Sequence, residues 1–172
     1  KKFFYLKKKK RIRNKIQKIL IFFGGSDQSD LTSKILKICK YFIKLKFYVV
    51  LGKINNNKEK IFKLVKYYKN IKLFYEVKNE KMANLIYKCD LGIGAGGVNL
   101  YERIFLGLPS IVISTSLNQS SNIDSSLSYG ISIFIIVYIF DNFLDDLNGK
   151  KRMLFIFPGI IGLMIGFGLI FK

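Results

Sequence analysis

The chain has 172 residues, half of them hydrophobic, which suits one α/β domain with a genuine core and leaves too little for two. Thirty Lys and Arg against eleven Asp and Glu give a net charge of +19, but Arg occurs only at positions 11, 13, 103 and 152. Together with abundant Ile, Asn, Phe and Tyr this reads as a compositional bias, so no specific nucleic-acid partner is expected. With no His, and with Cys39 and Cys89 far apart in apolar runs, neither a metal set nor a cofactor is expected; the cysteines read as buried, reduced core residues.

Residues 1–17 are crowded with Lys and Arg. A nucleic-acid arm, a membrane-surface anchor and a solvated linker compete here, and the linker is preferred because no RNA-binding aromatic signature or recognition-helix pattern follows. No uninterrupted apolar run follows the basic start, so no secretory signal is expected.

From residue 18 strands and helices alternate. Lys18–Phe23 reads as a buried strand ending at Gly24-Gly25. Ser29–Leu45 reads as a helix, since Leu31, Ile35, Leu36, Ile38, Phe42 and Ile43 recur at helical spacing, with Asp27, Ser29 or Asp30 as its cap. Strand Phe47–Leu51, helix Lys58–Tyr68, strand Ile71–Glu76, helix Lys81–Lys88, strand Leu91–Ile93, helix Asn99–Leu106, strand Ser110–Ser114 and helix Gln119–Tyr129 follow. The alternation predicts a Rossmann-like parallel sheet flanked by helices within a domain spanning 18–150. Ligands of such sheets bind beyond the carboxyl ends of the strands, where residues 24–27, 94–99 and 114–119 can converge.

Lys88–Gln119, KCDLGIGAGGVNLYERIFLGLPSIVISTSLNQ, carries the sharpest signal. A strand running through glycines into a helix lets backbone approach a ligand, and the first N–H groups of the helix favour a pyrophosphate. Glu102, about one turn into that helix, can accept both hydroxyl protons of a ribose diol. An ordinary strand–helix turn with a solvated Glu is the competing reading. ILIFFGGSD is likewise either a turn with an N-cap or a place where Gly24, Gly25 and Ser26 make room for a phosphate or sugar. No GKS or GKT follows it, so it is not a Walker loop, and GIGAGG comes too late for a dinucleotide fingerprint.

ILIFFGGSD, then NLIYKCDLGIGAGGVNLYERIFLGLPSIVIS, then LNQ, in that order, resemble the C-terminal half of the UDP-2,4-diacetamido-2,4,6-trideoxy-β-L-altropyranose hydrolases of pseudaminic acid biosynthesis. More broadly they resemble the nucleotide-binding C-terminal domain of GT-B glycosyltransferases, over roughly residues 18–130. The resemblance implies UDP-sugar as the partner, Glu102 on the ribose, and Gly96, Gly97, Val98 and Asn99 on the pyrophosphate. It also implies that Gly25, Ser26, Asp27, Asn118 and Gln119 border the phosphates or sugar, and that the backbone of residues 76–82 meets the uracil. These hydrolases break the anomeric C–O bond, releasing free sugar and UDP.

Several positions depart from the pattern. Val98, Asn99 and Leu100 stand where the family has small hydroxyl residues, and Tyr101 where it often has Trp. The GxGH domain whose His serves catalysis has no counterpart, so no catalytic residue is assigned and the chain alone is expected to be inactive, its partner a separate N-terminal catalytic half. A GT-B glycosyltransferase domain and a non-catalytic nucleotide-sugar module remain the alternatives.

Residues 151–172 form an apolar tail. Met153–Phe171 carries no charge and has a GxxxG spacing at Gly162 and Gly166, but also Pro158. A membrane span and a buried or decayed tail both stay open. The expected location is the cytoplasm, with membrane association through 153–171 as the variant.

Overall fold

The computed structural model describes residues 2–8, 11–113 and 132–135. Short apolar runs form β1 (Lys18–Phe22), β2 (Lys46–Leu51), β3 (Ile71–Tyr75), β4 (Leu91–Ala95), β5 (Ser110–Ile113) and β6 (Ser132–Ile135). The helices are α1 (Lys2–Lys8), α2 (Leu31–Cys39), α3 (Lys58–Val65), α4 (Asn79–Lys88) and α5 (Val98–Phe105). The strands lie in the order β3-β2-β1-β4-β5-β6, and every adjacent pair is parallel. This is the expected Rossmann-like sheet, extended by β6 from within a stretch that showed no clear pattern in the sequence.

Side chains alternate across the pleat and build a core on each face. Ile19, Ile21, Phe47 and Val49 pack with Leu31, Ile35 and Leu36 of α2 and Ile61 of α3. Leu20 and Val50 face the other way, against Met82, Ala83, Leu85 and Ile86 of α4 and Leu6 of α1. Fully burying each such aliphatic side chain contributes about 1.5–3 kcal/mol, so both faces must be covered for the sheet to be stable.

Helix α2 is shorter than its periodicity suggests. The Asn70 amide donates to the carbonyls of Cys39 and Phe42, both at 3.1 Å, adding to the backbone bonds these carbonyls accept from Phe42 and Leu45 and anchoring the turn that leads toward β2. Cys39 and Cys89 are free and buried, as expected. Burial pushes the Cys39 thiol far up and the Cys89 thiol up to about 12, so both stay protonated.

Residues 1–17, expected to be a linker, include α1, whose Leu6 is buried and whose Phe4 and Lys7 lie against Phe105 of α5. Arg11 donates to the carbonyls of Tyr87 and Cys89 and pairs with Asp90. Arg13 donates to Cys89 at 3.0 Å and to Gly107 at 2.8 Å. The two guanidinium groups therefore serve the C-terminal, negative ends of α4 and α5, which is the physical reason this segment packs on the domain. The Asp90 carboxylate also accepts the backbone N–H groups of Gln17 and Lys18, at 2.9 and 2.8 Å. All of these contacts lie at the amino edge of the sheet.

Candidate functional site

The strand order reverses between β1 and β4, so their following loops diverge to opposite faces and leave a crevice at the carboxyl edge. A cleft of about 410 Å³ opens there. One wall is Gly24 and Gly25 after β1, a second is Val77, Asn79 and Met82 around the start of α4, and the third is Gly97, Val98, Asn99 and Glu102 at the start of α5. Gly24 has φ +90°, a left-handed turn that glycine adopts without strain. Gly25 rests directly on Gly52, where a Cβ would lie 2.4 Å from the Gly25 Cα.

Of the helices that begin at this edge, α2 and α5 differ in their electrostatics. The Asp27 carboxylate accepts the N–H groups of Leu31 and Thr32 at 3.0 and 2.9 Å, closing the N-terminus of α2 with a negative charge already in place. Asp27 is buried, and desolvation raises its pKa despite these bonds. The first turn of α5 instead opens on the cleft, with Gly97 extended at φ −80° and ψ −165° and open space where its Cβ would be. An anion is favoured at α5 and disfavoured at α2.

Glu102 accepts a hydrogen bond from the Asn99 amide nitrogen one turn earlier. Burial raises its pKa, while the Asn99 bond and the neighbouring Arg103 charge pull it down. The Asn99 Oδ1 is buried and accepts no hydrogen bond, leaving an acceptor beside the cleft. The arrangement offers a half-buried carboxylate, an amide acceptor and a helix N-terminus within one crevice, a combination suited to hydroxyl and phosphate groups together.

Of the residues singled out from sequence, Gly25, Gly97, Val98, Asn99 and Glu102 line this cleft, and Gly96 is buried in the turn between β4 and α5. Ser26 and Asp27 are not on its walls, and both Asp27 oxygens are committed to capping. Asn118, Gln119, the helix expected at 119–129 and the apolar run 153–171 lie outside the described residues. Gly52 and Arg103 went unnoticed in the sequence. Arg103 had a signal, since helical spacing places it on the same inward face as Leu100. Gly52 had none, because its partner lies on another loop.

A larger groove of about 630 Å³ between α2 and α3 is lined mostly by exposed side chains, including Lys37, Lys60, Lys63 and Tyr67, and is remote from the switch point. Among the described residues no cluster of His, Cys, Asp or Glu could hold a metal ion. No helix among them is long and apolar enough to cross a membrane.

The fold is that of a GT-B glycosyltransferase domain, corresponding to the C-terminal one. It resembles the glycotransferase of kitacinnamycin (TM-score 0.57, 18% identity, 73% of this chain and 32% of that one) and MurG of Acinetobacter baumannii (TM-score 0.55, 17% identity, 76% and 39%). In sequence it is 37% identical over 118 residues to the uncharacterized protein MJ1062 of Methanocaldococcus jannaschii. It is 28% identical over 128 residues to the spore coat polysaccharide biosynthesis protein SpsG of Bacillus subtilis. These matches take in 64% and 73% of this chain but only 24% and 36% of the relatives, so the chain spans well under half of either. No protein-family profile matches it.

Proposed function

We propose that the chain binds a UDP-sugar, as the nucleotide-binding half of a UDP-deoxyaminosugar hydrolase of nonulosonic (pseudaminic) acid biosynthesis. The observation that carries this reading is the shared cleft at the β1/β4 switch point, where the open N-terminus of α5 and the Glu102 carboxylate stand side by side. The diphosphate sits against the Gly97–Val98 turn, Glu102 takes the ribose hydroxyls, and the loop holding Val77 and Asn79 borders the base. Relatedness to a polysaccharide biosynthesis protein supports a sugar-nucleotide ligand.

In the reaction, water adds to the anomeric carbon as the C–O bond to the β-phosphate breaks, giving free sugar and UDP with loss of one proton. The leaving diphosphate gathers negative charge, which the α5 N-terminus stabilises. The base that takes the proton from water comes from outside these residues. Asp27 is tied to two backbone N–H groups, Asp90 is paired with Arg11 at the opposite edge, and the sequence has no His. A GT-B glycosyltransferase or a non-catalytic sugar-nucleotide module would use the same nucleotide site.

Calorimetric titration of the whole chain with UDP, ADP and a control oligonucleotide tests the reading. Saturable binding of UDP in preference to ADP, unaffected by the oligonucleotide, is expected. Absence of UDP binding, or equal binding of ADP, refutes it.

A further inference from the structure

The geometry points to Arg103 as a positioning residue for a diphosphate at the turn between β4 and α5, an inference that rests on the nucleotide reading above. Arg103 is 1% exposed, held between α5 and β4. It fits there because β4 lacks side chains at two positions on that face. A Cβ at Gly92 would come within 3.1 Å of the Arg103 Cδ, and one at Gly94 within 3.0 Å of its Nη1. Gly94 is doubly constrained, as the same Cβ would lie 2.2 Å from the Phe22 carbonyl oxygen. Two glycines of the GIGAGG run therefore make room for an arginine.

The guanidinium is incompletely partnered. Its Nη2 donates to the Ala95 carbonyl at 2.7 Å, whereas Nε and Nη1 are buried with no acceptor. A cation so placed is costly, and an apolar side chain of similar length would fill the space at less cost. Burial lowers its pKa to about 10, so it stays charged at neutral pH, with the nearby Glu102 charge opposing the shift. A retained, buried positive charge calls for a use that packing does not supply.

Its position supplies one. Ala95 is the last residue of β4, lines the cleft and opens the Gly96-Gly97 turn. Because a peptide unit is planar, fixing the Ala95 carbonyl toward Arg103 fixes the orientation of the first peptide plane of that turn. In the low dielectric beneath the turn, the charge also favours an anion above it. Both effects act on a diphosphate far more strongly than on a neutral nucleoside.

The test compares UDP with uridine on the full chain by NMR titration, for the unsubstituted protein, Arg103→Met and Arg103→Lys. Arg103→Met is expected to weaken UDP binding by about tenfold or more, the scale of a lost charge-assisted contact, with uridine affinity within about twofold. Arg103→Lys keeps the charge but not the planar fork, so it falls between the two. Parallel losses for UDP and uridine, or an unchanged UDP affinity, would reduce Arg103 to a structural residue and overturn the inference. If Arg103→Met does not fold, the same UDP-to-uridine comparison on Arg103→Lys decides between these outcomes. Failure of the unsubstituted chain to bind UDP is a separate result that removes the nucleotide reading itself.

Discussion

Gly52→Ala is the substitution whose effect follows most directly from the geometry. Gly52 lies just after β2, and its φ is outside the left-handed region, so alanine is not excluded by its backbone conformation. Its new Cβ, however, would lie 2.4 Å from both the Cα and the carbonyl oxygen of Gly25 and 2.7 Å from its carbonyl carbon. Carbon contacts settle near 3.5 Å, so the loops must part by about 1 Å, and no rotamer change can absorb a clash between backbones. Overpacking of this kind costs about 1–3 kcal/mol, more than the roughly 0.4–1 kcal/mol gained by stiffening the unfolded chain. The net loss of about 1–2 kcal/mol corresponds to a Tm decrease of about 2–8 °C for a domain of this size. Gly25 walls the cleft, so its displacement should also weaken UDP binding by about tenfold. Thermal unfolding and calorimetry read the two effects. Gly25→Ala is the control for fold stability, because its Cβ would meet Ile54 Cγ1 at an ordinary 3.6 Å. A Gly52→Ala protein with unchanged Tm and UDP affinity would refute the close approach as the element that sets the loop.

Asp27→Ala should lower stability by about 2 kcal/mol in urea unfolding, through two orphaned N–H groups at α2, while leaving UDP affinity nearly unchanged; lost affinity without lost stability would return Asp27 to the ligand site. Binding of uridine, which carries no titrating phosphate, should weaken on acidification as Glu102 takes up a proton. Because burial raises that pKa, the loss should begin at a higher pH than for an ordinary glutamate, and Glu102→Gln should flatten the profile; an identical acid limb in the variant would exclude Glu102 from the ribose contact.

The elements most faithfully legible in the sequence were those whose signal is local. The runs at 18–22, 46–51 and 71–75 are apolar and bounded by turn residues, and α3, α4 and α5 repeat at helical spacing. That Gly97, Val98, Asn99 and Glu102 lie together on one cleft was legible for the same reason, as strand, glycine turn and helix are contiguous there. Where local pattern misled, a distant partner intervened: Asn70 anchors the turn after α2, and Arg11 and Arg13 draw the basic segment onto the ends of α4 and α5.

By itself, then, the sequence determined the strand–helix alternation, the parallel sheet it implies and the glycine turn that opens α5, because periodicity and turn chemistry act within a few residues. Only the tertiary structure decided which glycines line the cleft and which serve packing. Gly92 and Gly94 accommodate Arg103, Gly52 admits Gly25, and Asp27 turns away from the cleft to cap α2. Each of these roles depends on an atom contributed by another strand, loop or helix turn, and such a contact exists only once the sheet has brought the two segments together.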